Sequence, residues 1–314
     1  MFESVSADVQ PQKLMGNLRV GKQTIKTSSE DRIIFPRDGI TKGDVIEYYR
    51  HVSRWMVPHL RGRRLTMQRF NPDINGEGIF QKDIPKHFPD WVSRVTVPKH
   101  GGTVTHVVCD NAETLVYLAN QGFLTYHVGL ARVDRNEEPD QMMFDIDPPS
   151  ADFECVRPIA FALRSLLEEL GLPCFAKTTG SRGLHVVVPV GRAQTFDEVR
   201  EFAHQVSLLL VRRMPKQTTV EFYKEKRGDR VFLDTNRNAV AQTAVPAFSV
   251  RAVDGAPVAM PITWEEVADG NLNARTFTIR NAVERMKTVK DPMSGMSRSA
   301  KSLRAAADRL AKLL

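Results

Sequence analysis

Met142-Met143-Phe144-Asp145-Ile146-Asp147-Pro148 alternates apolar and acidic residues and stops at a proline. Alternate side chains of a strand point to one face. The spacing therefore predicts a β-strand that projects Asp145 and Asp147 together while Phe144 and Ile146 turn to the core. Two carboxylates side by side on an apolar strand repel each other, and a divalent cation is the usual counter-charge, because hard cations such as Mg²⁺ take carboxylate oxygen. The plainer reading is a strand end running into solvent at Pro148 with both acids hydrated. The tripeptide alone does not separate the two.

The neighbouring segments give the fold class. Residues 123–132 and 141–147 predict a β pair, followed by a helix with Ile159, Leu163, Leu166, Leu167 and Leu170 on one side and Gly171 at its end. Residues 174–178 and 184–190 read as strands around a Gly-rich turn. Thr195-Phe196-Asp197-Glu198 caps a helix reaching Met214, where Pro215 stops it, and residues 231–234 form a short apolar strand ending in Asp234. Upstream, Thr41-Lys42-Gly43-Asp44 opens an amphipathic helix, residues 64–69 alternate as a strand, residues 71–78 read as a loop, and Asp110-Asn111-Ala112-Glu113 starts a helix ending at Gly122. Residues 1–28 lack periodicity and read as a loosely held arm, residues 29–296 as the main ordered domain, and residues 297–314 as a basic amphipathic helix. This α/β order has no regular βαβ alternation, which predicts a mixed sheet flanked by helices.

A chain of 314 residues with 42% hydrophobic and 26% charged residues has the composition of a globular protein with a real core. It has no apolar run long enough to cross a bilayer. Cys109, Cys155 and Cys174 are scattered, which argues against a zinc module or a disulfide framework and suits a reducing cytoplasm. Lys and Arg number 44 against 37 Asp and Glu, a net charge of +7 that favours a polyanionic partner. Simple solubilising charge would look the same.

Three further stations carry chemistry. Lys177-Thr178-Thr179-Gly180-Ser181-Arg182-Gly183-Leu184-His185 sets hydroxyls, glycines, cations and a histidine between two strands, where backbone N–H groups can approach an anion. It is not a Walker loop. Asp234 is a third acid at the end of an apolar strand. Arg227, Arg230, Arg237 and Arg251 flank it; most such arginines are solvated, yet one or two near three carboxylates would suit a triphosphate. Three acids on two strands with such a hairpin point to two-metal phosphoryl or nucleotidyl transfer.

At these residues the chain resembles the polymerase domain of bacterial ligase D, within the archaeo-eukaryotic primase superfamily. The likeness runs from about Asp31 to Met296. It rests on residues 144–148, 177–185 and 231–234, with Phe80-Gln81-Lys82 to Trp91, Ser249-Val250-Arg251-Ala252 and Asp291-Pro292-Met293-Ser294-Gly295-Met296 in support. The resemblance implies an RRM-like catalytic sheet packed with a second αβ layer. Asp145, Asp147 and Asp234 would be catalytic and hold Mn²⁺ or Mg²⁺. Thr179, Ser181, Arg182, His185, Arg227, Arg251 and His127 would surround a nucleoside triphosphate. Arg32 and Lys42 would hold a DNA 5′-phosphate, and Phe80, otherwise read as a core residue, would stack on a base. A cation in the first turn of a helix is mildly unfavourable, which fits an anion near Lys42. Arg32, Thr179 and Arg182 stand where Lys, Ser and Lys are commoner, Arg237 where glutamine is usual, and Gly129 where a tryptophan often follows the histidine.

The resemblance implies template-directed addition of nucleotides, often ribonucleotides, to 3′ ends at gaps or breaks in double-strand break repair. It also implies a Ku-like protein and a ligase as partners. With Met1 present and no ligase or nuclease sequence, the chain reads as free-standing. Alternatives are a primase, a gap-filling polymerase of excision repair, or a non-catalytic DNA-end-bridging module; an RNA-binding RRM lacks the aromatic motifs that module needs.

Overall fold

A computed structural model of the protein describes residues 16–150 and 152–314. In chain order, β1 (Asn17–Val20) and β2 (Gln23–Lys26) form a hairpin, and β3 (Ile33–Phe35) and β4 (Ile40–Thr41) lead into α1 (Lys42–Leu60). Next come β5 (Leu65–Phe70), β6 (Gly78–Gln81), β7 (Arg94–Lys99), β8 (Gly102–Val107), α2 (Ala112–Asn120) and β9 (Phe123–Val128). The second half holds β10 (Gln141–Asp147), α3 (Val156–Glu169), β11 (Phe175–Thr178), β12 (Leu184–Pro189), α4 (Phe196–Arg213), β13 (Thr218–Thr219), β14 (Val231–Asp234) and β15 (Pro261–Ile262). Short helices α5 (Trp264–Ala268), α6 (Ala282–Thr288) and α7 (Arg304–Ala311) follow.

The capping boxes read from the sequence are formed. The Thr41 hydroxyl accepts from Asp44 N–H while the Asp44 carboxylate accepts from Thr41 N–H, and Thr195 and Glu198 repeat the exchange at α4. Such caps stabilise a helix by about 0.5–2 kcal/mol each. α3 and α4 bury their apolar sides, through Ile159, Leu163, Val199 and Val206, on one main hydrophobic core.

The six-stranded sheet runs β13-β14-β10-β12-β11-β15, antiparallel except at β13–β14. A second sheet, β6-β5-β9, is tied to the segment between β14 and β15 by a Val128–Ala244 bridge, Tyr126 N–H to Ser249 Oγ at 2.9 Å, and the Thr125 hydroxyl to Val250 O at 2.8 Å. The mixed α/β architecture expected from the sequence is therefore present.

Three readings are corrected. β9 and β10 do not pair: β9 joins β5, and β10 lies between β12 and β14. The intervening segment carries Asp140, whose buried carboxylate takes Arg63 and Arg132, so the chain crosses between sheets instead of turning back. Residues 17–26, read as part of a loose arm, form the β1–β2 hairpin with Val20 and Ile25 buried; residues 1–15 lie outside the described residues. The C-terminal helix is also shorter than expected. A 3₁₀ turn, Met296–Ser299, precedes α7, and Leu303, Ala306 and Leu310 are buried. No described helix is long and apolar enough to cross a membrane.

Candidate active site

The site is built on one row of directly opposed residues across four adjacent strands. Lys177 of β11 faces His185 of β12, His185 faces Asp145 of β10, and Asp145 faces Asp234 of β14. Opposed residues in antiparallel strands share a face with Cβ atoms about 4.5–5.5 Å apart. Asp147, two residues on, shares that face. A cavity of about 170 Å³ opens over the row, lined by His127, Asp145, Asp147, Ser181, Arg182 and His185, with Thr179, Arg237, Arg251 and Thr243–Val245 around them.

Lys177 is buried and donates to His185 Nδ1 at 2.6 Å and to the Val245 carbonyl at 2.6 Å. With Nδ1 accepting, the neutral imidazole carries its proton on Nε2, which lies 3.4 Å from Asp145 Oδ1. That oxygen is buried, and no donor is aligned with it. Burial, then the Lys177 charge, pushes the His185 imidazole down to about 4. Burial likewise brings His127 to about 3, helped by Arg251 and Arg237, so both rings are neutral near pH 7. Burial works against a charge on Asp145, but His185, Arg237 and Lys177 together hold its carboxyl below the ordinary range. With His185 neutral, that field comes from Arg237, the imidazole N–H dipole and Lys177, whose own ammonium is brought down to about 7 by burial. Asp147 goes the other way: burial, then the charges of Asp145 and Asp234, push it up to about 6. The three acids therefore repel one another.

The Gly-rich turn hugs the end of β10. A Cβ on Gly183 would lie 2.1 Å from Ile146 O, and one on Gly180, at φ +64°, would lie 2.8 Å from the Arg251 side chain. Only glycine fits both. Thr179 Oγ1 accepts from Ser181 and Gly183 N–H, each at 3.2 Å, and lies 3.1 Å from Gly183 O. Its hydroxyl thus shapes the turn, while Ser181 and Arg182 remain to face a ligand. Arg251 is pinned by donating to Thr179 O at 3.0 Å.

Asp234 and Arg227 sit at the edge. Neither lines the cavity. Asp234 Oδ1 accepts from Asn236 N–H at 2.7 Å, and the Arg227 guanidinium lies 3.7 Å from the Phe232 ring centroid while donating to Glu221 O and Phe222 O. No three His, Cys, Asp or Glu among the described residues are grouped closely enough to hold an ion as they stand. The donor chemistry nevertheless fits a hard cation: an all-carboxylate set, a buried Asp145 oxygen without a partner, and an Asp147 carboxyl destabilised by its like-charged neighbours.

Two peripheral stations complete the surface. Lys42 is buried at the first position of α1, its Nζ donating to Ser28 O at 2.5 Å, and burial followed by the Arg32 charge brings its ammonium down to about 8. Arg32 O accepts from Lys42 N–H at 2.8 Å, and Arg32 Nε is buried without a partner. Phe80 is 58% exposed on β6, its ring edge-on to His127 at 5.5 Å, so the core reading of Phe80 is wrong.

A family model described as "LigD, primase-polymerase domain" matches residues 41–293. The chain belongs to that family. Among relatives of the LigD primase-polymerase domain, the multifunctional non-homologous end joining protein LigD of Mycolicibacterium smegmatis is 31% identical over 258 residues, covering 81% of this chain and 34% of that protein. The bifunctional LigD of Bacillus subtilis is 31% identical over 265 residues, 84% of this chain and 42% of that protein. The chain thus spans about a third to two-fifths of these relatives. The polymerase domain of Mycobacterium tuberculosis ligase D, solved in complex with DNA, superposes with a TM-score of 0.84 at 28% identity, covering 89% of this chain and all of that one.

Of the residues singled out from the sequence for a LigD-type nucleotide site, the cavity gathers Asp145, Asp147, Thr179, Ser181, Arg182, His185, His127 and Arg251, with Asp234 and Arg227 beside it. Lys177 joins the row although its motif alone does not mark it for a role; its period-two spacing from Thr179 is the signal that puts it on the site face. The shape supplied by Thr243, Ala244 and Val245 had no such signal, because these residues reach the site through a bridge to β9.

Proposed function

We propose that the protein is a template-directed nucleotidyltransferase that adds nucleotides, with a preference for ribonucleotides, to 3′ ends at 5′-phosphorylated gaps or breaks during non-homologous end joining. The observation that carries this reading is the Lys177–His185–Asp145–Asp234 row, flanked by Asp147 and facing a cavity rich in cations. Asp145, Asp147 and Asp234 would hold one or two Mn²⁺ or Mg²⁺ ions, which when bound lower the pKa of an attacking hydroxyl and neutralise phosphate charge. Arg182, Arg251 and Arg237 would take the triphosphate, with Ser181 and His185 beside it. The two neutral imidazoles leave the cations to set the field. His185 keeps its Nε2–H on the Asp145 side, 3.4 Å from Oδ1 and not aligned to donate, so that oxygen stays open to a cation. Arg227, fixed above Phe232, pulls on Asp147 from the edge.

Arg32 and Lys42 would hold a 5′-phosphate: Arg32 has a buried guanidinium nitrogen without a partner, and Lys42 is a desolvated ammonium at a helix N-terminus, with Glu30 only partly offsetting its burial and the Arg32 charge. Phe80 would stack on a base at the break. DNA with gaps or broken ends and nucleoside triphosphates are the substrates, and a Ku-like protein and a ligase the partners, by analogy with the end-joining relatives. The deciding experiment is extension of a primer on a 5′-phosphorylated gap with Mn²⁺ and either ribo- or deoxynucleotides. Ribonucleotide-favoured extension is expected. Absence of any metal-dependent product would leave an end-bridging module.

A further inference from the structure

We propose that a groove between β5, the end of β9 and the β7–β8 hairpin binds the phosphodiester backbone of the unpaired template strand, as a subsite separate from the triphosphate cavity. The proposal deepens the polymerase reading and rests on it for the strand's identity. The groove has a volume of about 290 Å³, and its wall includes Arg64, Lys82, Lys99 and His106, with Gly129 and Thr243 toward the active site. Among the described residues Arg64, Lys82 and Lys99 make no ion pair, whereas neighbouring Arg63 and Arg132 share Asp140. The single acid in the wall, Asp83, accepts from Thr105 N–H at 2.9 Å. Arg64 is half-buried, and that burial without an acid partner lowers its pKa, as for a cation lacking its anion.

Register ties the groove to the site. Thr66 in its floor is the strand partner of His127, which lines the nucleotide cavity, and Gly129 follows His127 by two residues on the same side. Thr243 lines both spaces. Phe80 stands over His127 and precedes Lys82 of the groove wall by two residues. An aromatic platform leading into a cationic channel is how single strands are held without reading sequence. A Cβ on Gly129 would meet nothing closer than 4.0 Å, so the floor is open. The strand is not the one carrying the 5′-phosphate. Arg32 lies against Gly122, which precedes β9, while Gly129 follows it, and six strand residues span about 20 Å.

The test is fluorescence anisotropy on primer–template DNA with one unpaired template nucleotide or with about six. Lys82→Gln/Lys99→Gln is expected to lose the affinity gained from the longer overhang by about 5–30-fold and to flatten its salt dependence by one to two phosphate contacts. The short template should bind as before. Gly129→Leu, which fills the floor without changing charge, should lose the same gain, and Lys82→Arg/Lys99→Arg should keep it. Equal weakening on both DNAs, no weakening, or full overhang binding by Gly129→Leu would overturn the groove. Binding is read without nucleotide or metal, so a chain that fails to extend primers yet keeps the overhang effect sinks the polymerase reading and still supports the groove.

Discussion

Asp145 and Asp234 stand directly opposite one another on adjacent antiparallel strands, with Asp147 one pleat further on the same face. At an effective dielectric near 20, two such charges about 5 Å apart cost roughly 3 kcal/mol. Burial raises the cost for Asp147, while His185, Arg237 and Lys177 relieve it at Asp145. The fold therefore holds a charge cluster that stability alone would not select.

Asp147→Asn should stabilise the metal-free protein at pH 7. The Asp147 carboxyl is pushed up to about 6, above its unfolded value near 3.9, so the folded state binds the extra proton between those limits. Its share of stability is greatest below about pH 4 and falls as pH rises to about 6. The variant lacks that fall and should gain about 1–3 kcal/mol at pH 7. Thermal unfolding from pH 4 to 8 reads the difference. Millimolar Mn²⁺ should raise the wild-type Tm and leave the variant's nearly unchanged.

Asp145→Ala should abolish nucleotide addition while DNA binding stays within about twofold, since the side chain faces the cavity and not the peripheral surface. Gel-shift and extension assays on the same preparation check both halves. Joint loss would mean the row shapes the fold.

The 5′-phosphate advantage should depend on pH. Burial and Arg32 bring the Lys42 ammonium down to about 8, so the cationic form that the proposed phosphate contact needs dominates at pH 7 and is lost above about pH 8–9. Bound phosphate raises that value, so the midpoint should move up with ligand. Comparing affinity for phosphorylated and unphosphorylated gaps across pH 6.5–9.5 gives the profile, and Lys42→Met should erase the advantage at every pH. A flat profile in the wild type would remove Lys42 from the contact.

Phe80→Ala should leave stability within about 0.5 kcal/mol, because most of the ring is in solvent. DNA affinity should drop by about 1–3 kcal/mol, whatever the base. Denaturant titration and anisotropy separate the two effects.

Asn238→Ala tests what holds β14 beside β10. The buried Asn238 amide accepts from Met143 N–H at 2.8 Å and donates to Met143 O at 2.7 Å and Thr235 O at 2.9 Å. Leaving those backbone groups unpaired should cost about 2–4 kcal/mol in denaturant unfolding. A loss below 0.5 kcal/mol, within the range of ordinary surface changes, would show that water replaces the amide.

Alternation alone placed Asp145 and Asp147 on one face, and the Thr-x-x-Asp and Thr-x-x-Glu boxes marked α1 and α4, because strand period and helix caps are decided within a few residues. The partner of each strand was not local information. The sequence suggested that β9 should hairpin with β10; the buried Arg63–Asp140–Arg132 cluster instead carries the chain between two sheets. Only that long-range packing sets Asp234 opposite Asp145, aims Lys177 at His185, and leaves Phe80 outside the core. Periodicity records which way a side chain points; what stands across from it depends on contacts hundreds of residues apart in places, as between Tyr48 and Phe248.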